Sequence, residues 1–130
     1  MKSYLMVFGG IFGAVIALAF LLPAVLGLSA AIAVGGEAVG FGHYLAIFFA
    51  GLAALALSGA PFFAVINYLE PENPLQISSA LIAAIGGALT ILIALISIFY
   101  GFSWMQLIAI VAGGLVVVSA LLQAEILDLG

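Results

Sequence analysis

Glu37 and His43 are the only acid and imidazole close together in this chain, six positions apart in the stretch GGEAVGFGH. A carboxylate beside an imidazole is a pairing that carries protons or cations at membrane depth, because imidazole titrates near neutrality. If the segment dips among helices, Glu37 is the carrier and His43 its pH-sensing partner. The glycines at 35, 36, 40 and 42 favour a plainer arrangement, a glycine-rich loop whose charges face water. A second acidic pair, Glu70 and Glu72, lies in YLEPENPLQ between Pro71 and Pro74. Proline stops a helix on either side, so this stretch is first a boundary. Its two carboxylates make it a candidate docking point for a basic partner.

Other chemistries lack their residues. One histidine and no cysteine exclude a cysteine-ligated metal, a thiol nucleophile and disulfides, and leave no set for a dedicated transition-metal site. Ser58, Thr90, Ser97 and Ser119 have no base at a recognisable spacing, and a membrane-helix hydroxyl usually bonds the carbonyl of the preceding turn. The Gly-Gly pairs sit inside apolar runs rather than between a strand and a helix, so no phosphate loop is implied. No catalytic residue and no cofactor is therefore expected, and an enzyme is the least expected class. Asn67 and Gln106, read as lying near the inner ends of their spans, can bond across helices for about 1 kcal/mol. Gln123, followed by Glu125 and Asp128, reads as the fourth helix emerging into water.

These few polar residues are set in a chain of 130 residues that is 68% hydrophobic and 5% charged, with mean hydropathy +1.55. One small core cannot hide that much apolar surface, so the bilayer is the expected solvent. The net charge of −4, with Lys2 the only basic residue, offers no patch for phosphates, and direct nucleic-acid binding is not expected.

A helix needs about 20 apolar residues to cross the hydrocarbon. Four runs satisfy this, at residues 4–32, 44–69, 77–100 and 105–127. No alternation of apolar and polar residues supports a barrel. The expected fold is an all-α integral membrane protein, one domain of four transmembrane helices in two hairpins, packed closely through Gly/Ala faces. The breaks GGEAVGFGH, EPENP and YGFSW carry turn chemistry. Four spans put both termini on one side, and Lys2 votes for the cytoplasm. The first run holds Pro23 and reads as one long kinked helix. It also has the flavour of a secretory signal, but the run from 4 to 22 exceeds the roughly 7–15 residues of a signal core, so a retained span is expected.

Helices in lipid associate through close approach at small residues. Gly9, Gly13 and Ala17 are spaced by four, as are Ala46, Ala50 and Ala54. Ala80, Ala84 and Ala88 repeat the device beside Ala83 and Gly87, and Ala109 with Gly113 carries it on the fourth span. Phe8, Phe12, Phe20, Phe48, Phe49, Phe62 and Phe63 are then left to face lipid or a partner. Tyr44, Tyr68, Tyr100 and Trp104 sit near span ends, as interfacial anchors do.

From Glu70 onward, a proline-bounded acidic turn precedes a helix with AAIGGAL, an aromatic turn YGFSW and a second helix with VAGGL. Over residues 70–126 this order resembles the helical hairpin of conjugative, type IV secretion major pilins. The resemblance implies a subunit of a lipid-containing filament or transfer channel, with Gly86, Gly87, Gly113 and Gly114 as packing positions and no catalytic residue. The residues themselves point to a small non-catalytic subunit that packs against other membrane subunits or copies of itself. A small transporter or channel using Glu37 and His43 is the alternative.

Overall fold

The computed structural model describes residues 2–34 and 40–125, and they form four helices: α1 Lys2–Val34, α2 Phe41–Leu69, α3 Gln76–Tyr100 and α4 Trp104–Gln123. Among the described residues there is no strand. Lipid leaves an apolar segment no other way to satisfy its backbone than a helix or a closed barrel. Each of the four helices contains a stretch long and apolar enough to cross a membrane, which makes the chain a multi-pass membrane protein by length and composition. Pro23 lies inside α1 and Pro61 inside α2, and each helix continues past its proline.

The turns are shorter than the sequence suggests. Helix α2 begins at Phe41, so Gly42 and His43 belong to its first turn rather than to the preceding loop. A helix's first amides lack intrahelical partners in any case, so glycine there breaks no ladder. Between α3 and α4 only Gly101, Phe102 and Ser103 remain outside helix. The Gly101 amide donates to the carbonyls of Ser97 and Ile98 at 3.2 and 3.3 Å. Between α2 and α3, Pro71 and Pro74 enforce the stop that their residue type demands. The Asn73 side-chain oxygen then accepts the Leu75 amide at 3.0 Å, a local turn that replaces the interrupted helix bonds.

Each helix packs on two neighbours: α1 on α2 and α4, and α3 on α2 and α4, while diagonal pairs barely meet. Neighbours run antiparallel, since Gly10 lies level with Ala64, Gly86 with Ala56, and Gly13 with Ala112. The termini of the bundle and the 70–75 turn therefore share one end, called the near end below. The α3–α4 turn lies at the far end.

On α2, α3 and α4 burial follows a seven-residue repeat. On α2 the buried positions are Ala50, Ala53, Leu57, Ala60, Ala64 and Asn67. On α3 they include Ala80, Ala83, Gly87, Thr90 and Ala94, and on α4 Gln106, Ala109, Gly113, Val116, Ala120 and Gln123. Alternating steps of three and four keep one side of a helix facing its neighbours. A strict spacing of four drifts around the helix instead. That is why, in the Ala80, Ala84, Ala88 series, Ala80 is buried, Ala84 half-buried and Ala88 exposed. Ala46 and Ala54 are likewise half-buried beside buried Ala50.

Outside the bundle, Phe8, Phe12, Phe48, Phe49 and Phe62 are exposed, and Tyr4, Phe8 and Phe12 stack along α1 with ring centroids 6.0 and 5.7 Å apart. Phe20 and Phe63 depart from the expected outward set. Both are half-buried, and Phe20 packs against the core. Tyr44, Tyr68 and Trp104 are exposed near helix ends.

Candidate functional site

The buried polar residues gather at the near end. Asn67, two residues from the end of α2 and 2% exposed, donates from Nδ2 to Ser79 Oγ of α3 at 3.0 Å and to Gln123 Oε1 of α4 at 2.7 Å. Its Oδ1 accepts from Asn73 Nδ2 at 2.9 Å, which ties the turn to the bundle. Gln123 Nε2 donates to Ser119 Oγ at 3.0 Å, and that hydroxyl donates to the Met6 carbonyl of α1. Gln76 closes the remaining side by donating from Nε2 to the Gln123 carbonyl at 2.5 Å. One connected chain of hydrogen bonds thus joins all four helices and the 70–75 turn.

No buried side-chain nitrogen or oxygen among the described residues lacks a partner. Satisfaction is what makes such a network tolerable away from water, because an orphaned buried amide costs about 1–3 kcal/mol. The arrangement clamps the helices to one another. No ionisable side chain is buried among the described residues.

Gln123 is therefore corrected from the sequence reading: it is 2% exposed, not the point where α4 enters water. The signal for this was present in the periodicity. Gln123 stands seven residues after Val116 and fourteen after Ala109, on the same buried face. The α4 helix ends immediately afterwards, with Ala124 as cap and Glu125 at φ 61°, the left-handed geometry that commonly closes helices.

Gln106 is corrected too. It lies at the far end, not beside Asn67, and it does not cross the bundle. Its Oε1 accepts the Ser103 amide at 2.8 Å and its Nε2 donates to the Gly101 carbonyl at 2.6 Å. It caps the start of α4 and holds the turn from α3. Thr90, fully buried, bonds the Gly86 carbonyl of its own helix at 2.9 Å, as expected of a membrane-helix hydroxyl.

The expected packing positions differ among themselves in surroundings. A Cβ built on Gly87 would lie 2.7 Å from the Gly113 carbonyl oxygen, and one on Gly113 would lie 2.7 Å from the Gly87 carbonyl. On α1, the corresponding atom at Gly13 would meet the Ala112 carbonyl at 2.8 Å, and at Gly9 the Leu115 carbonyl at 3.0 Å. Ala17 is fully buried and Ala84 packs against the core from a half-buried position. Gly27, Gly51 and Gly114 would meet nothing within 4 Å.

Of the candidate ion site, Glu37 and the side chain of His43 lie outside the described residues. Glu70 and Glu72 are both exposed on the near-end turn, but their settings differ. Glu70 borders a groove of about 270 Å³ between the end of α2 and the start of α3, and Glu72 does not. Asp128 is outside the described residues. Compared with protein-family models, with curated proteins and with solved structures, this chain finds no match in any of the three.

Proposed function

We propose that this protein is a small non-catalytic membrane subunit, working by helix packing within a larger membrane assembly or a homo-oligomer. Small residues on the inner faces favour close approach of α1, α3 and α4, as where a Cβ on Gly87 or Gly113 would crowd the other's carbonyl. The observation that carries the assembly reading is the unused remainder. Gly51 and Gly114 lie within apolar helices, yet a Cβ at either would meet open space. Glycine in a helix interior costs about 1 kcal/mol relative to alanine. No neighbour within the bundle requires it at these two positions, whereas a helix from another subunit would. Among the described residues no ionisable side chain is buried, which supports packing over an ion path through that part of the bundle.

Purification in mild detergent with measurement of particle mass tests this reading. The expected result is a species heavier than one chain plus its micelle. Gly114→Leu should release the monomer while leaving it folded, and Gly87→Leu should disrupt the fold itself. A folded, partner-free monomer for the unaltered chain overturns the proposal.

A further inference from the structure

The groove beside Glu70 has a graded character. Its walls are Phe63, Ile66, Pro74 and Leu75, and its polar edge includes Asn67 and Ser79, both already committed to the hydrogen-bond chain. Glu70 stands at the mouth, exposed, with no hydrogen-bond or ionic partner for its carboxylate among the described residues. From Glu70 back to Phe63 is seven residues, about 10 Å along a helix. The lining therefore extends from a carboxylate just past the end of α2 to an aromatic ring two turns back along that helix.

That gradient fits an amphiphile lying parallel to the helices. Phe63 and Ile66, within the span of α2, suit an acyl chain, Pro74 and Leu75 flank it from the turn, and the carboxylate selects the headgroup. An anionic headgroup meets repulsion from Glu70, reinforced by Glu72 on the same turn. A quaternary ammonium has no hydrogen to donate. A primary ammonium forms a charge-assisted hydrogen bond to the carboxylate, which is the stronger kind. We propose that the groove between α2 and α3 holds a bilayer lipid with a primary-ammonium headgroup, its amine on Glu70 and a chain against Phe63 and Ile66.

The test uses the full chain in mild detergent, offered equal amounts of phosphatidylethanolamine, phosphatidylcholine and phosphatidylglycerol with identical acyl chains. Native mass spectrometry reads which lipid is retained. The ethanolamine lipid should exceed the glycerol lipid by up to about fivefold, the ratio given by an exposed ion pair. Glu70→Gln should lower that ratio by about twofold or more and remove the excess of the ethanolamine lipid over the choline lipid, while Glu72→Gln, a neighbouring charge outside the groove, should leave the ranking intact. Ile66→Trp, a large side chain at an exposed position on the groove wall, should lower retention of all three lipids. The proposal is overturned by equal retention in the unaltered chain, by an excess of the ethanolamine lipid over the choline lipid that survives Glu70→Gln, or by one lost equally in Glu72→Gln. Co-purification of a polypeptide in the groove, with no lipid retained, overturns it as well.

Discussion

The two ends of the bundle use the same side chain, a primary amide, for different work. At the near end Asn67 and Gln123 bond each other across α2 and α4, and their partners reach α1, α3 and the turn. At the far end Gln106 bonds only Ser103 and Gly101, three and five residues before it. Position along the helix decides between these roles. An amide in the first turn of a helix finds free amides of its own backbone to cap. Asn67 and Gln123, in the last turns of α2 and α4, instead find each other and the side chains of α3 and the turn within reach. The near end is consequently a tertiary clamp, and the far end a local one.

Breaking the near-end clamp should have the largest effect. Asn67→Leu removes the hub and strands Gln123 Oε1, while Asn73 Nδ2 keeps the Glu70 carbonyl, so a loss of roughly 2–3 kcal/mol is expected in reversible unfolding from mixed micelles. A loss as small as that of an exposed substitution would mean that the clamp is already wet. At the far end, Gln106→Ala should cost about 1 kcal/mol, the usual worth of a cap. Its signature is local: hydrogen exchange should accelerate in the first turn of α4 and nowhere else.

A smaller effect of opposite sign is expected at Glu125. Its left-handed backbone at φ 61° costs a residue with a Cβ about 1 kcal/mol, and glycine relieves that cost. Glu125→Gly should therefore raise stability by up to about 1 kcal/mol, read in the same unfolding assay. The smallest quantity sharpens the comparison most. The Asn67→Leu and Gln106→Ala losses should add to within about 0.5 kcal/mol, because the two sites share no partner. Asn67 and Gln123 should instead show a coupling of about 0.6–1.7 kcal/mol in a double-mutant cycle.

Particular residues show what the sequence carried and what it did not. Pro71, Pro74 and the apolar runs around them mark helices and breaks without reference to any neighbour, because proline's missing donor and the cost of bare backbone in lipid are local facts. The faces were harder to read. Spacing by four selected Gly9, Gly13 and Ala17, all buried in the bundle, but the same rule on α3 selected Ala88, which is exposed. On α3 two steps of four carry the ladder off the contact face, whereas on α1 positions 9, 13, 17 and 21 all stay buried, so which spacing holds depends on the neighbouring helices. Gln123 was misread for a related reason. Its neighbours in sequence, Glu125 and Asp128, suggest water, while its neighbours seven and fourteen residues back face the interior.

The sequence by itself determined the solvent, the number and approximate limits of the helices, and the poverty of the chain in groups that do chemistry. Those follow from composition and from rules that act within one helical turn. Only the tertiary structure decided which amides meet, because Asn67 and Gln123 are 56 residues apart and are joined by antiparallel packing alone. It also decided that Glu70 borders a groove while Glu72, two residues on, does not. Whether a side chain joins a clamp or edges a groove depends on the helix beside it, and nothing local in the chain specifies that neighbour.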